Sequence, residues 1–212
     1  MKYKILKNDH IDFQHPTTHK PVRLYRIVAL KSFDTRAGRV EEGSIGGYIG
    51  GEVNLSQNDF SWVFSLSKIF DDALLVDSVL VDNAAAYENA IIQDSILKGY
   101  SVAKGKSTVV ESVVGGNVTI DNGARIRNCN AAGSVIVRGS ADVLDSELSG
   151  GVLIEGAAHV IKCKLHDTTH VCGSVTKITN CHFSGHTFVK DAIINNETWR
   201  HDADLQINQQ TI

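Results

Sequence analysis

Two consecutive lines of sequence decide the fold: Gly116–Ala132, GNVTIDNGARIRNCNAA, and Gly133–Ser149, GSVIVRGSADVLDSELS. Set one above the other, they align without a gap. Val118 and Ile120 stand over Val135 and Val137, Ala124 and Ile126 over Ala141 and Val143, and Cys129 and Ala131 over Ser146 and Leu148. Each line therefore carries three short segments in which small or aliphatic residues alternate with others. Alternation of this kind marks a strand with one buried face; a helix would need a spacing near 3.6 residues, and none is sustained. Between the segments lie Asp121-Asn122-Gly123 and Arg138-Gly139, residue types that tolerate the positive φ of a sharp corner.

The register extends well beyond these lines. Gly99, Gly116, Gly133 and Gly150 step by 17 residues, and Gly185 rejoins the series after one inserted residue. The first inward pair runs from Ser67/Ile69 to Thr169/Val171, the second from Ala73/Leu75 to Ala158/Val160, and the third from Ser78/Leu80 to Cys163/Leu165. Three strands and three corners per repeat predict an all-β fold, a triangular parallel β-helix with 17-residue coils, of about eight coils over 61–194. Equivalent pairs stack on one another, so the core is a column rather than a ball. Residues 1–60 lie outside the repeat. There "KYKIL" and "VRLYRIVAL" read as two strands joined through the segment with both prolines, Pro16 and Pro21, and form an N-terminal β cap over the solenoid end. Residues 195–212 read as a C-terminal cap or tail.

Bulk properties narrow the partners. The net charge of −3 and a pI near 6.3 argue against a general nucleic-acid binder. The start "MKYKILKNDH" has no apolar run of signal-peptide type, and no stretch of 18 apolar residues offers a membrane span. With four cysteines, the expectation is reduced thiols in a cytoplasmic setting.

Leu24-Tyr25-Arg26-Ile27, Ala37-Gly38, Gly46-Gly47-Tyr48, Asn54-Leu55-Ser56-Gln57 and Trp62-Val63 resemble the entry segment of YdcK-like proteins. That enterobacterial and phage-associated family is related in form to the hexapeptide-repeat, LpxA-like acyltransferases. The resemblance implies a left-handed β-helix and an acetyltransferase label, with acetyl-CoA as the cofactor. The chain departs from the acyltransferase pattern in two respects. Its coil is 17 residues rather than three full hexapeptides, and no long loop interrupts the coils.

The segment "CKLHDTTHVCG", Cys163–Gly173, looks like a metal site, since Cys-x-x-His and His-x-Cys are spacings zinc accepts. The register scatters it. Cys163 points into the core, His166 and Asp167 fall on one corner, His170 points outward from face one, and Cys172 falls on the next corner. His166, Asp167, His182 and His186 remain the residues that neighbouring coils bring together, as a metal site or, through His166 or His186, as a general base. A solvated corner is the plainer reading of the same residues. Cys129, Cys163 and Cys181 share an inward column with Ser78, Ser95, Ser112 and Ser146, and behave there as small buried groups. Cys172 is the thiol expected to react with a labelling reagent.

Some outward positions are apolar. Face one carries Val102, Ile136, Leu153 and Phe188; face two carries Leu74 and Ile91; face three carries Trp62, Val79, Ile96 and Val113. Contiguous exposed apolar stripes mark contacts. Either the N-terminal region folds back over faces two and three of the first coils, or the stripes are subunit interfaces. The face-one stripe is the preferred interface, in a homo-oligomer for which a trimer is favoured. Two functions follow as expectations. One is a non-catalytic solenoid without a cofactor, a scaffold or partner-binding protein in a phage or prophage setting. The other is an acyl-CoA-dependent acetyltransferase with its site between subunits.

Overall fold

The computed structural model describes residues 1–162, 164–165, 168–174, 176–179, 185–191, 193–194 and 205–208. His166, Asp167 and His182, three of the four residues proposed for a corner site, lie outside the described residues, as do Cys163 and Cys181.

The described chain is a parallel β-helix with three sheets, one per face. Pairing advances by one coil each time: Val118↔Val135↔Val152 on face one, Ile126↔Val143↔Val160 on face two, and Ala131↔Leu148↔Leu165 on face three. The inward pairs are buried. On face one these include Ser67, Ile69, Val135, Val137 and Val171, on face two Ala73, Leu75, Ala141 and Val143, and on face three Ser78, Leu80, Ser146 and Leu148. The alternation in the sequence is thus the alternation of inside and outside.

The corners explain the polar punctuation. At the corner between faces two and three, Asp77, Asp94, Glu111, Asn128, Asp145 and Lys162 all take φ between 45 and 54°. Left-handed backbone disfavours most side chains, but short polar ones tolerate it best. At the corner between faces three and one, the chain uses Gly99, Gly116, Gly133 and Gly150 instead, because successive corners there touch. A Cβ on Gly133 would stand 2.8 Å from the Gly150 amide nitrogen.

The third-face column is more than a row of small groups. Ser78, Ser95 and Ser112 each donate their hydroxyl to the carbonyl two residues back, at 2.6–2.7 Å. The same hydroxyls accept the amide of the residue one coil on, at 2.9–3.0 Å. Cys129 takes its place in this ladder through sulfur, accepting the Ser146 amide at 3.4 Å. Hydrogen bonding, not size alone, selects the residues of this column.

The N-terminal segment both closes the core and wraps the outside. Strands β1 (Tyr3–Gln14) and β2 (Pro21–Ala29) form an antiparallel hairpin with a register shift between Leu6 and His10. β2 pairs with β5 (Ile45–Ile49), which continues face one in parallel with Lys68–Ile69. Tyr3, Ile27 and Ala29 plug the end of the column. Beyond the shift, Ile11, Phe13 and Val22 pack against a buried cluster of Leu24, Tyr48, Phe70 and Tyr87, and Ala85 and Val102 of face one pack against the same cluster. His15 pins the tip. Its Nδ1 accepts the amides of Thr17 and Thr18, so the proton sits on Nε2 and is donated to Asp71 at 2.8 Å.

A second hairpin, β3 (Phe33–Thr35) with β4 (Gly38–Val40), covers face three. Phe33 packs edge-on to Trp62 with centroids 5.5 Å apart, and Trp62 and Val79 are buried beneath the segment. The wrapping therefore falls on faces three and one. The expectation of cover on face two is not met, and Ile91 stays 39% exposed there. The reason is the bend after Leu6, which swings the hairpin tip across the corner at Phe70 and Asp71. At the other end, Leu205–Asn208 returns to face one and pairs with Thr187–Lys190.

Candidate interaction surface

Face one carries an outward row with one residue per coil: Ala85, Val102, Thr119, Ile136, Leu153, His170 and Phe188. Val102 is half-buried against the hairpin cluster, so the part of the row outside the hairpin begins at Thr119. Ile136 is 41% exposed, and Leu153 and Phe188 are half-buried. His170 stands between them, its ring edge-on to Phe188 with centroids 5.1 Å apart.

Two residues further along each coil runs a corner column of opposite charges. Lys104 pairs with Asp121 at 3.3 Å, and Arg138 donates to Glu155 from Nε at 2.8 Å. Each pair links coils one repeat apart, as cross-strand neighbours do in any sheet. Glu155 also meets His170 Nε2 at 3.0 Å. The Arg138 and His170 hydrogen bonds hold the Glu155 carboxyl below its usual range.

Cys172 lies beside this network, one coil above Glu155 and one below Lys190. A cysteine, a histidine and a glutamate in one neighbourhood look like a nucleophile with its base and orienting group. The electrostatics oppose that use. Burial raises the Cys172 thiol, and the Glu155 charge raises it further, so the thiol stays protonated where catalysis would need a thiolate. An open hollow of about 570 Å³ adjoins these residues, lined by Arg138, Glu155, Cys172 and Lys190 and by the stacked corner glycines Gly156 and Gly173.

No protein-family model matches the chain, and no curated protein matches it.

Of the corner site anticipated from sequence, His186 is described, and it is an exposed residue beside Gly185. Among the described residues no group of three or more His, Cys, Asp or Glu side chains is placed to hold a metal ion. A separate hollow of about 440 Å³ lies under the β3–β4 tip, between Arg36, Phe60, Asp77 and Asp94. Its polar groups brace the hairpin: Arg36 donates to the Asp77 carbonyl and to Asp94, and Asp77 accepts the Phe60 amide. The Arg138–Glu155–His170 network was not anticipated. Opposite charges at a separation of 17, Lys104/Asp121 and Arg138/Glu155, were the signal that would have found its first link.

Among the described residues, no helix is long and apolar enough to cross a membrane.

Proposed function

We propose that this chain is a non-catalytic β-solenoid that acts by presenting the outward row of face one to another protein surface, first of all a further copy of itself. The observation that carries this reading is the outward row Ile136, Leu153, His170 and Phe188, in which Ile136 is 41% exposed and the others are half-buried. Apolar surface left in contact with water favours association. Burial and the Glu155 charge raise the neighbouring Cys172 thiol, which disfavours a thiolate nucleophile there. A role in binding a host component for a phage or prophage rests on the resemblance of the entry segment.

The competing reading is an acetyl-CoA-dependent acetyltransferase with His166 or His186 as general base between subunits. Light scattering after size exclusion separates the two, run on the wild type and on Ile136→Lys alongside melting curves with and without acetyl-CoA. The expected result is an assembly for the wild type, a monomer of unchanged stability for the variant, and no acetyl-CoA shift. A clean monomer at high concentration would overturn the association reading. Acetyl-CoA stabilisation that survives His186→Ala while acetyl transfer is lost would install the enzyme in its place.

A further inference from the structure

The geometry points to a binding site for a small dicarboxylate in the hollow at the corner between faces one and two. There the ligand's carboxylates take the place of acidic side chains that the chain itself supplies in earlier coils. The site borders face one but does not depend on face one associating with anything.

One corner position recurs in every coil: Glu88, Gly105, Asn122, Gly139, Gly156 and Gly173, all with positive φ. In the first three of these coils a carboxylate accepts the backbone amide. Glu88 donates to Asp71 at 3.0 Å, Gly105 to Glu88 at 2.7 Å and Asn122 to Asp121 at 2.6 Å. Asp71 and Glu88 each lie 17 residues before the amide they accept, so an acidic side chain in one coil serves the corner of the next. In the following coils glycine stands where the acid would be. Among the described residues, the amides of Gly139, Gly156 and Gly173 have no acceptor. Past them a carboxylate returns, as Asp191 accepts the Ser174 amide at 2.8 Å.

The hollow coincides with the open amides. Its volume of about 570 Å³ is lined by Gly139, Gly156 and Gly173, and by Arg138 and Lys190. Glu155 is the one acid in the lining, and Arg138 and His170 already bond it. Lys190 is exposed and joins no ion pair among the described residues. Unbonded backbone amides next to cations attract anions. The kind of anion follows from the filled coils, where the equivalent amides all hold carboxylates. Neighbouring coils stand about 4.8 Å apart. A ligand with two carboxylates at that separation bonds two successive amides at once, as Asp71 and Glu88 together do for Glu88 and Gly105. Glutarate has such a spacing.

Glutarate is therefore the probe, added at constant ionic strength to the isotope-labelled full chain and followed by amide NMR. The signals of Gly139, Gly156 and Gly173 should shift and saturate, and acetate, with a single carboxylate, should need at least about tenfold more. Asn122→Glu places a longer acid at a corner that already has positive φ. Its carboxylate should take the Gly139 amide, as Glu88 takes that of Gly105, and weaken glutarate about tenfold. Lys190→Ala should weaken it to a similar extent by removing a cation from the lining. Bound glutarate should also slow alkylation of Cys172, which lines the same hollow. Melting curves check that each variant is folded, and the surface truncation Lys190→Ala keeps the test open should Asn122→Glu fail to fold. No saturating shift at these glycines, or binding that folded variants leave unchanged, would overturn the site. Acetate or inorganic phosphate binding as tightly as glutarate would overturn the dicarboxylate as its ligand.

Discussion

The backbone amide of Ser112 donates to the hydroxyl of Ser95, one coil away, at 3.0 Å. Ser95 in turn gives its own proton to the Gln93 carbonyl at 2.6 Å. One hydroxyl thus satisfies the buried Ser112 amide and gives a second bond to the Gln93 carbonyl, which also accepts the Glu111 amide at 3.1 Å, at the corner where the chain leaves face two, and the motif repeats in successive coils. A hydroxyl does this because it is donor and acceptor at once.

Ser95→Ala should therefore cost about 1–3 kcal/mol, because it leaves the buried Ser112 amide without its acceptor. Ser95→Cys should cost less, since Cys129 already holds the same position through sulfur. Equilibrium denaturation in urea is the check. Equal losses for the two variants would mean that volume, not hydrogen bonding, governs the column.

Gly133 and Gly123 both have positive φ, 77 and 93°. Only one is crowded. A Cβ on Gly133 would lie 2.8 Å from Gly150, whereas one on Gly123 would meet nothing closer than 3.6 Å. Both Gly→Ala changes carry the left-handed backbone cost of about 1–2 kcal/mol, but Gly133→Ala should exceed Gly123→Ala and Gly133→Val should exceed both. Thermal melts that ranked Gly123→Ala as the worst would contradict the corner stacking.

The repeat was legible because period and burial coincide: every coil returns the same faces, so Val118, Val135 and Val152 announce one wall of the core from sequence alone. The ladder through Ser95 and Ser112 was partly legible, as a column of small residues, but its bonds join residues 17 apart and follow only once coils are stacked. The hairpin tip was not legible. Its place on Phe70 and Tyr87 depends on a register shift between Leu6 and His10 that leaves no periodic trace. The Cys172–His170–Glu155 neighbourhood could be located by register, but not the direction in which Glu155 moves the thiol.

Lys2 and Asp59 close the N-terminal end. Lys2 is 2% exposed, and its Nζ has three acceptors: the Asp59 carbonyl at 3.0 Å, the Asp59 carboxylate at 2.9 Å and the Ser61 carbonyl at 2.8 Å. Burial pulls both groups away from their charged forms. On Lys2 burial prevails and the ammonium is held below its usual range; on Asp59 the bonds from Ser61 and Lys2 outweigh burial and lower the carboxyl. Three acceptors around Nζ suit an ammonium, so the ion pair is the state that fits the geometry. Asp59→Asn should cost about 3 kcal/mol, because it strands a buried cation, and Lys2→Met should cost less. Asp59 has a lowered folded pKa, so its contribution is complete above the unfolded carboxylate value and is lost as pH falls through the folded one. The stability gap between wild type and Asp59→Asn should accordingly narrow in acid; unfolding curves at neutral pH and below the carboxylate range would show it, and a gap that widened would rule the pair out.

Cys172 reports on the face-one network. Its thiol is raised first by burial and then by the Glu155 charge, and Lys190 works the other way. Glu155→Gln removes the anion and frees Arg138, so both changes favour the thiolate. Alkylation depends on the thiolate fraction. At a fixed, mildly alkaline pH the labelling of Cys172 by iodoacetamide, followed by peptide mass spectrometry, should therefore be faster in Glu155→Gln than in the wild type. Lys190→Ala should label more slowly, since the one favourable charge is gone. A rate unmoved by either change would mean that neither Glu155 nor Lys190 sets the thiol, leaving burial and the Asp191 charge as its causes.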